Sequence, residues 1–140
     1  MIEGDQYCEV VEAYFSFLIS EFGFKVSEQK IIGNAFYDVQ YKDKTRIVSI
    51  SYENIEDYFL VIIFLLQEGK LPDYDDKTKT LHLNQLNTKV LPRIDKNEIH
   101  TNSEYFLKFR PKDELERRLL KSAKELRLCM HHFYELIVLL

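Results

Sequence analysis

The sequence predicts an α+β fold: an N-terminal helix, an antiparallel sheet of about four strands, and a long C-terminal helix packed on the sheet. Three observations carry that reading. Apolar residues recur at helical spacing at both ends of the chain, and strand-like alternation fills the middle. Glycine and proline are scarce, at four and three of 140 residues, which favours long regular elements.

Residues 5–22 read as the first helix, with Asp5 as its N-cap and Gly23 as its stop. Tyr7, Val11, Tyr14, Leu18 and Phe22 share one face, and Val10, Phe15, Phe17 and Ile19 widen it. From Met1 to Phe24 there are five acids and no base. These acids read as a solvated helix face or as part of an acidic docking surface.

The period then changes. Phe24 to Ile32 is strand-like, and Gly33-Asn34 punctuates the chain. Ala35 to Lys42 alternates, with Ala35, Tyr37, Val39 and Tyr41 opposite Asp38, Gln40 and Lys42. After the polar segment Lys42-Asp43-Lys44, Thr45 to Tyr52 alternates again. These are two half-buried strands of a hairpin. Tyr58 to Leu66 is apolar throughout, which fits a central strand covered on both faces.

Residues 67–110 are the least regular. Gly69, Pro72 and Asp73 to Lys77 mark a surface loop. Thr78 to Leu83 suggests a short strand and Asn84 to Leu91 a helical turn. Pro92 to Ser103 reads as a polar connection. Tyr105 to Phe109 reads as a short edge strand or as the approach to the last helix.

Residues 111–139 carry the clearest helical pattern. Pro111 suits a first turn, and Asp113, Glu114 and Glu116 suit the positive end of the helix dipole. Leu115, Leu119, Ala123, Leu126, Met130, Phe133 and Ile137 form the stripe. Glu114 and Arg118 have ion-pair spacing. The apolar tail Leu136 to Leu140 needs cover from the domain or a partner. One domain over residues 1–140 accounts for the pattern.

Composition narrows the function. The formal net charge is −4 and the pI about 5.6, which argues against nucleic acid or an anionic membrane as partner. The N-terminus lacks a signal-peptide pattern, and the longest apolar run is too short to span a bilayer. A cytoplasmic address is the expectation. Cys8 and Cys129 then read as buried, reduced thiols.

No catalytic or cofactor motif emerges. Cys8 lies among acids, which disfavours a thiolate. His131 and Glu135 stand one helical turn apart beside His132 and Cys129, but a zinc site needs three or four converging ligands. His82 and His100 are distant in sequence, so no metal and no cofactor is expected. A phosphate loop, a dinucleotide fingerprint and a serine nucleophile elbow are missing. The bases Arg117, Arg118, Lys121, Lys124 and Arg127 are interrupted by acids and read as a solvated helix face.

Two acidic clusters stand beside tyrosines. Glu53, Glu56 and Asp57 lie between Tyr52 and Tyr58; Asp73, Asp75 and Asp76 surround Tyr74. These nine residues are the candidate partner-binding set, because tyrosine supplies contact area while acid steers a basic protein surface.

The small acidic chain, its strands Tyr37-Asp38-Val39-Gln40-Tyr41 and Ser49-Ile50-Ser51-Tyr52-Glu53, and its loop Pro72-Asp73-Tyr74-Asp75-Asp76 resemble small bacterial immunity proteins encoded beside secreted toxins. The resemblance implies a non-enzymatic module that neutralises a cognate, basic toxin by direct binding. The alternative is a homodimeric structural or regulatory protein joined through Tyr58–Leu66 and the Leu136–Leu140 tail.

Overall fold

A computed structural model describes residues 2–138. The chain forms two compact units, one ending at His82 and the other beginning at Leu83. Helices and a five-stranded antiparallel sheet make it an α+β protein, with one strand more than the sequence pattern suggested. Among the described residues no helix is long and apolar enough to cross a membrane.

The first unit opens with α1 (Gly4–Tyr14) and a short α2 (Phe17–Ser20), where one helix over 5–22 was expected. Phe15, Phe17 and Leu18 are all fully buried. In one straight helix they would spread over an arc of ~160°, and the break at Phe15–Ser16 accompanies their joint burial. Glu3, rather than Asp5, occupies the N-cap, and Asp5 lies inside the first turn. Gly23 does end the segment: its φ is +75°, its N–H donates to Ile19 O and the Phe24 N–H to Leu18 O. The bond from Gly23 to the carbonyl four residues back is an αL closure, and the left-handed backbone is the reason for glycine.

Five strands follow: β1 (Lys25–Ile32), β2 (Phe36–Lys42), β3 (Arg46–Glu53), β4 (Tyr58–Leu65) and β5 (Thr80–His82), paired in chain order. The register aligns Val39, Ile50 and Val61 in one row and Tyr41, Val48, Ile63 and Leu81 in the next. On this face α1 docks. The Tyr7 hydroxyl donates to Ile50 O at 2.8 Å, and its ring lies 5.5 Å from Tyr37 and 6.0 Å from Tyr52.

On the other face the alternation of β2 and β3 predicts solvated polar residues, but Asp38 and Ser49 are buried there, as are Ile62 and Thr80. The Asp38 carboxylate accepts from Ser49 Oγ at 2.7 Å and Gln40 Nε2 at 2.8 Å. Two donors meet the requirement that a buried charge be hydrogen-bonded. Burial on both sides explains why β4 reads as continuously apolar: Val61, Ile62 and Ile63 are all enclosed.

The second unit is helical: α3 (Leu83–Val90), a single 3₁₀ turn (Leu91–Arg93), α4 (Lys96–Tyr105), α5 (Glu114–His131) and α6 (Phe133–Val138). The polar connection expected over Pro92–Ser103 is therefore mostly helix. Asp95 caps α4 by accepting from the Asn97 N–H. Instead of an apolar stripe, α4 buries Asn102, which donates to Lys124 O at 3.0 Å and accepts from Arg127 Nη1 at 2.8 Å. A helix anchored by an amide leaves no hydrophobic period to read.

Tyr105–Phe109 is not a strand; it closes α4 and turns toward α5. Pro111 lies outside α5, and Asp113 is the cap, accepting from the Glu116 N–H at 2.9 Å while Glu116 Oε1 accepts from the Lys112 N–H. Such reciprocity is capping-box logic displaced by one residue. Glu114 pairs with Arg117 at 3.1 Å, not with Arg118. The last helix breaks at His132 instead of running to 139. Leu136 is buried; Leu139 and Leu140, part of the predicted tail, lie outside the described residues.

Candidate functional site

The β3–β4 turn carries five of the nine candidate residues, and its geometry is fixed from beneath. Tyr52 is buried against Tyr7, and its hydroxyl donates to Asp57 Oδ1 at 2.6 Å. Asp57 sits at φ +55°, a left-handed conformation that an aspartate tolerates because its side chain bonds locally. Glu53 Oε1 accepts from the Glu56 N–H.

Asn54, also buried, contributes more than any residue singled out from sequence. Its Nδ2 reaches Ile2 O at 3.2 Å, Asn34 O at 2.9 Å and the Tyr37 hydroxyl at 3.1 Å. One amide thus ties the entry to α1, the β1–β2 turn and the β3–β4 turn together. Above this brace the turn exposes Ile55 (73%) and Tyr58 (58%) beside Glu56 and Asp57. Ile32, 56% exposed, lies in the same row as Phe36, Glu53 and Tyr58. Sequence reasoning missed Ile32 and Ile55; the available signal was an isoleucine set inside or beside a polar turn.

The second cluster is differently employed. Asp76 accepts from the Thr78 N–H at 3.0 Å and Thr78 Oγ1 at 2.6 Å, bonds that hold its carboxyl below the usual range. Asp73 supplies its carbonyl to Thr80 Oγ1, and Tyr74 stands edge-on to His82 at 5.8 Å. Asp73, Tyr74 and Asp75 are exposed. This loop closes beside Thr80, the partner of Phe64, whereas Tyr58 begins the other end of β4. Six residues of strand separate them, or ~20 Å. The structure therefore does not bring the two acidic clusters together, and the β3–β4 turn is the coherent candidate site.

At the far end of the sheet an open groove of about 640 Å³ is lined by Gly23, Lys25, Ser27, Lys42, Asp43 and Lys44. The carboxylate among its described lining residues is already engaged: Asp43 Oδ2 accepts from Arg46 Nε and Nη2, and Oδ1 from two backbone N–H groups.

The histidine pair resolves unequally. His131 is exposed. His132 sits between two carboxylates, with Nε2 at 2.5 Å from Glu98 and Nδ1 at 3.0 Å from Glu135. The break after α5 pairs Glu135 with His132 rather than with His131. Burial pushes His132 down, but the bonds and charges of Glu98 and Glu135 outweigh it and its pKa is raised. Among the described residues no group of three or more His, Cys, Asp or Glu is placed to hold a metal ion. Both cysteines are buried and free. Burial, then Glu125, pushes Cys129 up to about 12; burial, then Glu12 and Asp5, raises Cys8.

These features define an α+β protein with a braced, acidic and aromatic hairpin tip. Compared with known proteins, the chain matches no family model, no curated protein and no solved structure.

Proposed function

We propose that this chain is a non-enzymatic protein-binding module whose docking element is the β3–β4 tip, and that its partner presents a basic surface. One observation carries the reading: Ile55 and Tyr58 stand exposed beside Glu56 and Asp57, on a turn tied from beneath by hydrogen bonds of Asn54 and Tyr52. Exposed apolar side chains at a rigid tip form contacts without a large ordering cost. The flanking acids steer a cationic partner toward them. An immunity protein that neutralises a basic toxin fits this chemistry, in keeping with the resemblance in sequence style. The address that goes with this reading is cytoplasmic.

The homodimer alternative relies on Tyr58–Leu66, and against it β4 lies between β3 and β5 with Val61, Ile62 and Ile63 enclosed.

The test is affinity capture from the native cell with the wild-type chain, followed by calorimetry on the recovered protein. Ile55→Ser with Tyr58→Ala should weaken binding about 100-fold or more, as loss of a central contact pair does. Glu56→Lys should chiefly slow association, and Asp75→Lys, in the other loop, should do neither. Co-expression should protect cells from the partner's toxicity. Tip variants that bind and protect like wild type would refute the assignment.

A further inference from the structure

The two edges of the sheet are treated differently. The β5 edge is three residues long, a common way of blunting an edge against unwanted pairing. The β1 edge is eight residues long, with seven of its residues exposed and no proline. Its outer row of backbone groups is a template for a further strand. Ile31 and Ile32 at its end are 43% and 56% exposed.

We propose that β1 pairs antiparallel with β1 of a second copy of this chain, across a two-fold axis at Gln29, so that Glu28 of each copy faces Lys30 of the other. The register follows from geometry and charge. In an antiparallel pair, directly opposite residues are both hydrogen-bonding or both not, and the two kinds alternate. Within the regular stretch from Glu28 to Ile32, two copies can therefore oppose only residues of equal parity. Centring on Lys30 opposes lysine to lysine, and centring on Glu28 opposes glutamate to glutamate. Centring on Gln29 pairs Glu28 with Lys30 twice by symmetry. Opposite charges facing each other stabilise a cross-strand pair, and like charges destabilise it.

Glu28 and Lys30 are both exposed, and neither has an ion-pair partner among the described residues. Their cross-strand partners on β2 are Gln40 and Asp38, and Asp38 is already bound by Ser49 and Gln40. A lysine on an edge ordinarily discourages pairing; centring on Ile31 would set Lys30 against Ile32, and of the registers centred within Glu28–Ile32 only the one at Gln29 gives Lys30 an opposite charge. The irregularity between Val26 and Glu28 ends the new ladder on one side. The interface is thus short, of the weak and reversible class, and it leaves the β3–β4 tip free. It is independent of the reading given for that tip.

The experiment is sedimentation of the full chain from ~1 μM to ~500 μM, where mass action should reveal a dimer. Glu28→Lys alone, or Lys30→Glu alone, replaces two attractions with two repulsions and should weaken self-association at least about tenfold. Mixing the two single variants should give a heterodimer, since each then supplies what the other lacks. The double variant Glu28→Lys, Lys30→Glu should recover wild-type association. Amide exchange should slow with rising concentration at the outward-facing N–H groups of β1, which alternate with those turned toward β2. A wild-type chain monomeric across the range, single variants that dimerise unchanged, or a mixture that stays monomeric would each overturn the proposal.

Discussion

Replacing Glu98 by glutamine should lower the pKa of His132 and make the helical unit less dependent on pH. His132 follows the end of α5, where the last carbonyls favour a cation. It bonds Glu98 from α4 and Glu135 from α6, while Arg127 and His131 of α5 line the same cavity of about 370 Å³. A charge-assisted bond contributes ~1.5–3 kcal/mol when shielded. Here the Glu98 side chain is 42% exposed and that of Glu135 71%. Solvent screening brings each pair down toward the surface value of ~1 kcal/mol or less. The clamp is then worth ~1–2 kcal/mol in total, mostly through Glu98.

The sign follows from the raised pKa. A group that holds its proton more tightly when folded adds its full stability below its unfolded value of ~6.5. That contribution fades as pH rises through the folded value. Urea denaturation from pH 5.5 to 9 should show the His132–Glu98 coupling by double-mutant cycle, near ~1 kcal/mol at the acid end and declining upward. The imidazole titration should move down in Glu98→Gln and less in Glu135→Gln. Wild-type His132 titrating at or below the free-histidine value, or unmoved by Glu98→Gln, would refute the clamp.

Two further outcomes test the packing of the first unit. Tyr7→Phe leaves the buried Ile50 carbonyl without its α1 donor and should cost ~1–3 kcal/mol in urea denaturation, with the fold retained. A Cβ on Gly4 would lie 2.7 Å from Ile31 Cγ2. Gly4→Ala should therefore destabilise the wild type by up to ~1 kcal/mol but stabilise an Ile31→Ala background, where the helix-propensity gain is no longer opposed; destabilisation in both would refute the contact.

The legible parts of the fold are those where one period dominates. Tyr37 to Tyr41 and Val48 to Tyr52 alternate because α1 covers one face, and the buried stripe of α5 runs through Leu119, Ala123 and Leu126. What the sequence hid are elements held by polar groups. α4 buries an asparagine rather than a leucine, so hydropathy there resembles a loop. Asp38 and Ser49 satisfy each other across two strands, and alternation alone marks such residues as solvated. The break at His132 is invisible because Phe133 and Leu136 continue the apolar pattern.

The same distinction governs the candidate sites. Local composition identifies tyrosines and acids, but only the pairing of strands decides which of them share an end of the sheet. Asp73 and Glu53 look equivalent in sequence, yet β4 holds their loops apart. Asn54 looks like a turn residue, yet it fixes the very surface on which the binding reading rests. The β1 edge extends the point. Glu-Gln-Lys is an ordinary triplet until the strand that bears it is an edge of the described sheet; its charge order is then what the proposed register rests on.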